Sequence, residues 1–288
     1  MPATSANGLT LEYETFGDPA DPPVLLIMGF GQQLIRWSPE FCEAIAADGY
    51  RVIRFDNRDT GLSTWFDDAG VPDLGEVVTG VTPPPYTLVD MADDAAGLLE
   101  ELGHDSAHVV GVSMGGMIAQ HLAIGHPHRV RTLTSVMSTT GDPSLPPGDP
   151  QVIGALLAPP PATRDEAIEQ GVVVWKAIGS PGFPFDEDFA REFSAAAYDR
   201  AFHPAGNARH LAAIATQSDR TAGLAGVRVP TLVIHGAADP LVHPEAGRAT
   251  ADAVTGARFL LVPGMGHDLP AELVDEFAAE LTEHFARG

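Results

Sequence analysis

Six short apolar runs, each entered and left through turn residues, constrain this chain more than any other feature. They read "PPVLLIMGFG", "YRVIRFDNR", "AHVVGVS", "RVRTLTSVMS", "PTLVIHGAAD" and "ARFLLVPGMG". All are rich in Val, Ile or Leu, as expected of strands buried on both faces of a mostly parallel sheet. An earlier stretch, "LTLEYETFG", alternates apolar and polar residues and predicts an edge strand.

The text between the runs is helical. After Thr87, apolar residues fall at Leu88, Met91, Ala95, Leu98 and Leu102. Thr87 and Asp90 form the pattern of an N-terminal cap, and Gly103 that of a stop. Met117, Ile118 and Leu122 continue a helix beyond the third run, and Val274, Phe277, Leu281 and Phe285 line a last helix opening after Pro270. Strand–helix alternation of this kind predicts an α/β fold, a central parallel sheet with helices on both faces.

One region breaks the rhythm. "GDPSLPPGDPQVIGALLAPPP" is proline-dense and is followed by helical text bearing Trp175, Phe183, Phe185, Phe189, Phe193, Tyr198 and Phe202. The expected organisation is a core of residues 1–140 and 221–288 carrying a mostly helical cap at 141–220. Phe185, Phe189 and Phe193 recur every four residues, which predicts one helix face turned inward.

Charge narrows the partners. The 39 acidic residues outnumber the 16 basic ones, for a formal charge of −23. That field disfavours nucleic acid and anionic membranes and leaves a small molecule as the expected partner. The single cysteine, Cys42, excludes an intramolecular disulfide and a thiolate metal cluster. The first residues, "MPATSANGLTLEYE", lack the pattern of a signal peptide, and no apolar run reaches the ~20 residues of a membrane span, so a cytoplasmic location is expected. No metal motif, P-loop or dinucleotide fingerprint occurs, so no cofactor is expected.

Within "AHVVGVSMGGMIAQH", Gly111-Val112-Ser113-Met114-Gly115 has the G-x-S-x-G pattern, between a strand and a helix. Such a turn exposes a serine hydroxyl above the carboxyl edge of the sheet, where ligands of open α/β sheets bind. Serine at neutral pH needs a base, and the base needs an orienting acid. In chain order, Asp239 follows the strand text "TLVIHG", and His267 follows "FLLVPGMG". Asp142 is the runner-up acid; His235 is expected on the floor near Asp239, and Asp268 is expected to point away from the serine. Backbone N–H groups of Met114, just after the serine, and of Phe30, in the glycine-flanked "MGFG" loop, are the expected oxyanion donors.

With these residues in place, the chain resembles the α/β-hydrolase family over nearly its whole length. "VLLIMGFG" matches the oxyanion loop, with Met28-Gly29 where the family usually has His-Gly. "FDNRDTGLS" matches a stretch whose Asp56, Arg58, Gly61 and Ser63 are usually structural. "GVSMGG", "HGAADPLV" and "PGMGHDLP" match the nucleophile, acid and base segments. "FGDPADPPVLLIMG", "RVIRFDNRDTGLST" and "GFPFDEDFAREF" most resemble the aclacinomycin methylesterase branch. That resemblance implies a carboxylic ester hydrolase removing a small alcohol, such as methanol, from a polyketide-like substrate. Perhydrolase, lactonase and carbon–carbon bond hydrolase chemistry use similar sites and stay open, as does a catalytically silent binding protein.

Overall fold

The computed structural model describes residues 2–288. Its sheet has eight strands: β1 (Ala3–Ala6), β2 (Leu9–Phe16), β3 (Pro23–Ile27), β4 (Arg51–Phe55), β5 (Ala107–Val112), β6 (Val130–Val136), β7 (Thr231–Gly236) and β8 (Arg258–Val262). They lie side by side in the order β1-β2-β4-β3-β5-β6-β7-β8. β1 and β2 pair antiparallel, β2 is antiparallel to β4, and every pair from β4 to β8 is parallel.

Helices follow the strands: α1 (Pro39–Ala47), α2 (Leu74–Val78), α3 (Leu88–Glu101) and α4 (Met114–Gly125) in the first half. Between β6 and β7 come α5 (Pro150–Leu156), α6 (Arg164–Ile178), α7 (Glu187–Arg200), α8 (Pro204–Ala215) and α9 (Thr221–Leu224). The chain ends with α10 (Pro244–Ala253) and α11 (Val274–Phe285). The Thr87–Asp90 capping box opens α3, and Gly103, at φ +78°, follows its end.

The period of two along each strand builds two cores. Leu25, Ile27, Ile53, Val109 and Leu133 face one side of the sheet, against Met91, Leu98 and Leu99 of α3 and Met117, Ile118 and Leu122 of α4. Val24, Leu26, Val52, Val110, Leu232 and Ile234 face the other, against Phe41 and Ile45 of α1 and Phe277, Leu281 and Phe285 of α11. A strand covered on both faces has no polar side, which is why these runs read as continuous apolar text.

Three expectations need correction. β2 is an edge strand along only part of its length, because β1 pairs with its first half, Leu9–Glu12, and Tyr13–Phe16 pair with β4 alone. β8 is an edge strand and is not buried on both faces; Leu261 is 42% exposed. The Phe185–Phe189–Phe193 stripe does not face inward. Phe185 precedes α7 and is exposed, Phe189 is 49% exposed and stacks on Phe193, and only Phe193 reaches another helix, edge-on against Trp175 of α6.

The segment between β6 and β7 rests on the carboxyl ends of the strands at three places. Arg200, at the end of α7, pairs with buried Asp56 at 2.7 Å, and Gln33 Nε2 donates to Ala197 O and Ala201 O. Arg209 of α8 makes a fully buried bidentate pair with Asp59, which also accepts from Tyr86 O–H and Phe66 N–H. The turn between α6 and α7 meets the loop after β8. Among the described residues, no helix is long and apolar enough to cross a membrane.

Candidate functional site

The turn from β5 into α4 is built by close approach. A Cβ at Gly111 would stand 2.1 Å from Gly115 O, and one at Gly115 would stand 2.1 Å from Ile27 O. Helix and strand therefore converge only because both positions lack side chains. The convergence drives Ser113 to φ +56°, a left-handed backbone that costs a non-glycine residue roughly 1–2 kcal/mol. Ser113 N donates to Val136 O at 2.9 Å, and Ser138 Oγ donates to Ser113 O at 2.8 Å, holding the strained peptide from both sides.

The hydroxyl so presented meets an imidazole. Ser113 Oγ lies 3.0 Å from His267 Nε2, and His267 Nδ1 lies 2.8 Å from Asp239 Oδ2. A carboxylate only accepts, so Nδ1 carries the proton and Nε2 is the acceptor for the serine O–H. Asp239 is buried, and Oδ1 accepts from the N–H groups of Leu241 and Val242, both at 2.9 Å. Burial opposes ionisation of this carboxyl. The neighbouring His267, the hydrogen bonds of His235 and His267 and the Val242 amide outweigh it and hold Asp239 well below the usual carboxylate range.

His235 lies beside the acid as expected: its Nε2 donates to Val242 O at 2.8 Å and stands 3.3 Å from Asp239 Oδ2. Asp142 is not part of the group; its carboxylate accepts from Ser144 N–H in a local turn. Asp268 accepts from Ser180 O–H.

Gly29 stands directly against the serine, since a Cβ there would lie 3.1 Å from Ser113 Cβ. Gln32 N–H donates to Gly29 O at 3.3 Å, which fixes the peptide joining Gly29 to Phe30 and turns the Phe30 N–H to the opposite side. Among the described residues, neither Phe30 N–H nor Met114 N–H has a protein acceptor. Asp56, Arg58, Gly61 and Ser63 serve structure: Asp56 accepts from the amides of Leu34 and Leu62, Arg58 pairs with Asp94, Gly61 takes φ +55° against Asp56, and Ser63 Oγ donates to Asp56 O.

Two supports of the loop after β3 were not expected from sequence. Asn57 Nδ2 donates to Met28 O at 2.9 Å, and Gly31 N–H donates to His210 Nδ1 at 3.3 Å. His210 Nε2 in turn donates to Arg58 O at 2.8 Å, so the ring is neutral; burial pushes its pKa down to about 4. His210 comes from α8, far along the chain, and no local pattern marks it. Asn57 had a signal, its place in the "FDNRDTGLS" stretch.

A surface cleft of about 520 Å³, lined by Asp93, Glu100, His126 and Arg129 among others, sits at the opposite end of α4 from Ser113. It plays no part in this geometry.

Residues 22–272 match the family described as alpha/beta hydrolase fold. The chain is 34% identical over 297 residues to rhodomycin D methylesterase DauP of Streptomyces sp. (strain C5), covering 96% of this chain and 95% of that protein. It is 33% identical, over the same shares, to rhodomycin D methylesterase DnrP of Streptomyces peucetius. The fold is similar to that of a meta-cleavage product hydrolase from Pseudomonas fluorescens IP01, with a TM-score of 0.78 at 18% identity, covering 99% of this chain and 97% of that one. The enol-lactonase from Burkholderia xenovorans LB400 superposes with a TM-score of 0.74 at 24% identity, covering 99% of this chain and all (100%) of that one. With its doubly covered parallel sheet, its strained serine turn and a match spanning nearly its full length, the chain belongs to the α/β-hydrolase fold family.

Proposed function

We propose that this chain is a carboxylic ester hydrolase that uses Ser113, His267 and Asp239 as a catalytic triad and passes through an acyl-enzyme. The contact that carries the reading is the 3.0 Å approach of Ser113 Oγ to the unprotonated Nε2 of an imidazole held by Asp239. The proposed substrate is an ester of a small alcohol, such as a methyl ester of a polyketide-like acid. The similarity to two proteins named as rhodomycin D methylesterases supports that class.

In the first half-reaction His267 Nε2 takes the Ser113 proton while Oγ bonds to the ester carbonyl carbon. The carbonyl π electrons move onto oxygen, where the N–H groups of Phe30 and Met114 receive the negative charge, aided by the N-terminal end of α4. The intermediate collapses, the C–O bond to the alcohol breaks, and the imidazolium protonates the departing alkoxide. Water then gives a proton to His267 and its oxygen to the acyl carbon; the second collapse releases the acid and returns the proton to Ser113. Asp239 stays ionised throughout and stabilises the imidazolium.

Ser113→Ala tests the reading. Turnover of a methyl ester should fall by several orders of magnitude with the fold retained, and a fluorophosphonate probe should label wild type but not the variant. A variant that retains near wild-type turnover rejects it. Lactones and vinylogous diketones in the same assay measure the competing ring-opening and carbon–carbon cleavage chemistries.

A further inference from the structure

The loop after β8 that carries His267, Gly264-Met265-Gly266-His267, contains two glycines, and Gly264 sits at φ +73°. Such a loop has little stiffness of its own. On the sheet side it is fixed by Ala238 N–H, which donates to Met265 O at 2.9 Å. Three more of its polar groups are met by residues at the turn between α6 and α7. His267 N–H donates to Ile178 O at 2.8 Å, Gly266 N–H donates to Ser180 Oγ at 2.8 Å, and Gly182 N–H donates to Gly264 O at 2.9 Å. Ser180 then donates its own proton to Asp268 Oδ1. One hydroxyl thus ties the residue before the histidine to the residue after it.

The approach is too close for side chains: a Cβ at Gly266 would stand 2.4 Å from Gly179 O, and one at Gly182 would stand 2.7 Å from Gly264 Cα. Ile178 is the last residue of α6, so the amide of His267 also satisfies a terminal helix carbonyl. Burial holds the Asp268 carboxyl above its ordinary range, against the pull of Ser180 and Arg36, and Ser180 itself is buried. The Arg36 guanidinium lies 4.4 Å over the Trp175 ring of α6, binding the same corner to the segment before α1.

We propose that Ser180 is a positioning residue for the catalytic base: the α6–α7 turn holds the loop of His267 in register with Ser113, so the helical insertion builds part of the reaction centre. The inference rests on the triad reading above. Productive proton transfer needs the imidazole placed to within a fraction of an ångström, and misplacement costs turnover more than substrate binding.

The test compares wild type with Ser180→Ala, Ser180→Thr, Ser113→Ala and the surface control Glu169→Gln, using methyl ester hydrolysis, fluorophosphonate labelling and thermal unfolding. Ser180→Ala should lower kcat by about tenfold or more, leave KM within about twofold, and slow labelling in parallel. Ser180→Thr, which keeps the hydroxyl, should return kcat to within about threefold, and Glu169→Gln should leave it unchanged. If Ser180→Ala unfolds, Asp268→Asn, which weakens the acceptor at one end of the bridge, should show a smaller fall of the same kind, in kcat and not KM. With Ser113→Ala inactive, a Ser180→Ala enzyme whose kcat is unchanged, or whose loss lies in KM, overturns this inference alone. An active Ser113→Ala overturns the triad reading and this inference with it.

Discussion

Ser113 occupies a backbone conformation that its side chain disfavours, and four hydrogen bonds hold it there, through its N–H to Val136 and at its carbonyl from Gly116, Met117 and Ser138. The strain is a property of the residue's place, so removing the side chain should relieve it. Ser113→Gly should raise stability by about 1 kcal/mol, read as a higher Tm, while abolishing turnover. In the proposed triad, Asp239 acts through the imidazole tautomer. Asp239→Asn offers an amide where Nδ1–H needs an acceptor charge, and kcat should drop by about four orders of magnitude with the fold intact, as measured by steady-state kinetics beside circular dichroism.

The site is assembled by elements whose ends converge. β5 and α4 meet at Gly111 and Gly115, and the loop after β3 closes against both. Gly115→Ala inserts a methyl into the Ile27 and Met28 carbonyls, so the variant should lose about 3 kcal/mol in urea titrations or fail to fold. α8 is anchored by the buried charge pair of Arg209 and Asp59. Arg209→Met leaves Asp59 charged, desolvated and short of its partner, and should cost about 3–5 kcal/mol by the same measurement. Because α8 also carries His210 against Gly31, that variant should weaken the oxyanion loop as well, lowering kcat at temperatures where the fold persists.

Across the whole molecule, neutral buried histidines set an acid limit. Burial pushes His108, His210 and His284 each from 6.5 down to about 4, with Arg131 and His284 adding to the effect at His108. Between those values the unfolded chain binds protons that the native chain refuses. Stability is therefore complete above about pH 6.5 and falls as pH drops toward 4. Each histidine contributes a slope of up to ~1.4 kcal/mol per pH unit. Unfolding free energies from urea titrations at steps between pH 7 and 5 should show this decline. His284→Gln, which keeps a donor for Leu133 O, should make the decline shallower by about one proton's worth.

Much of this could be read along the chain, because periodicity is a local record of burial. Runs covered on both faces are apolar throughout, the Thr87–Asp90 cap is written within four residues, and the tight serine turn demands glycines at fixed offsets. The order Ser113, Asp239, His267 places three side chains after β5, β7 and β8, and the sheet topology alone brings those strand ends together. Other features had no local record. β1 is four residues long, so its cover of β2 was invisible, and the exposure of β8 depends on which strand lies last in the sheet. The phenylalanine stripe had the spacing of a buried face but begins before its helix and meets no partner on most of its length. His210 of α8 and Ser180 of the α6–α7 turn reach the site from distant parts of the chain, by hydrogen bonds whose partners lie 179 and 86 residues away in sequence. By itself the sequence determined the fold class and which residues stand at the strand ends, since both follow from short-range pattern and turn sterics. Only the tertiary structure decided what holds the loop after β3 and the histidine loop in place, because those supports exist only where distant segments pack.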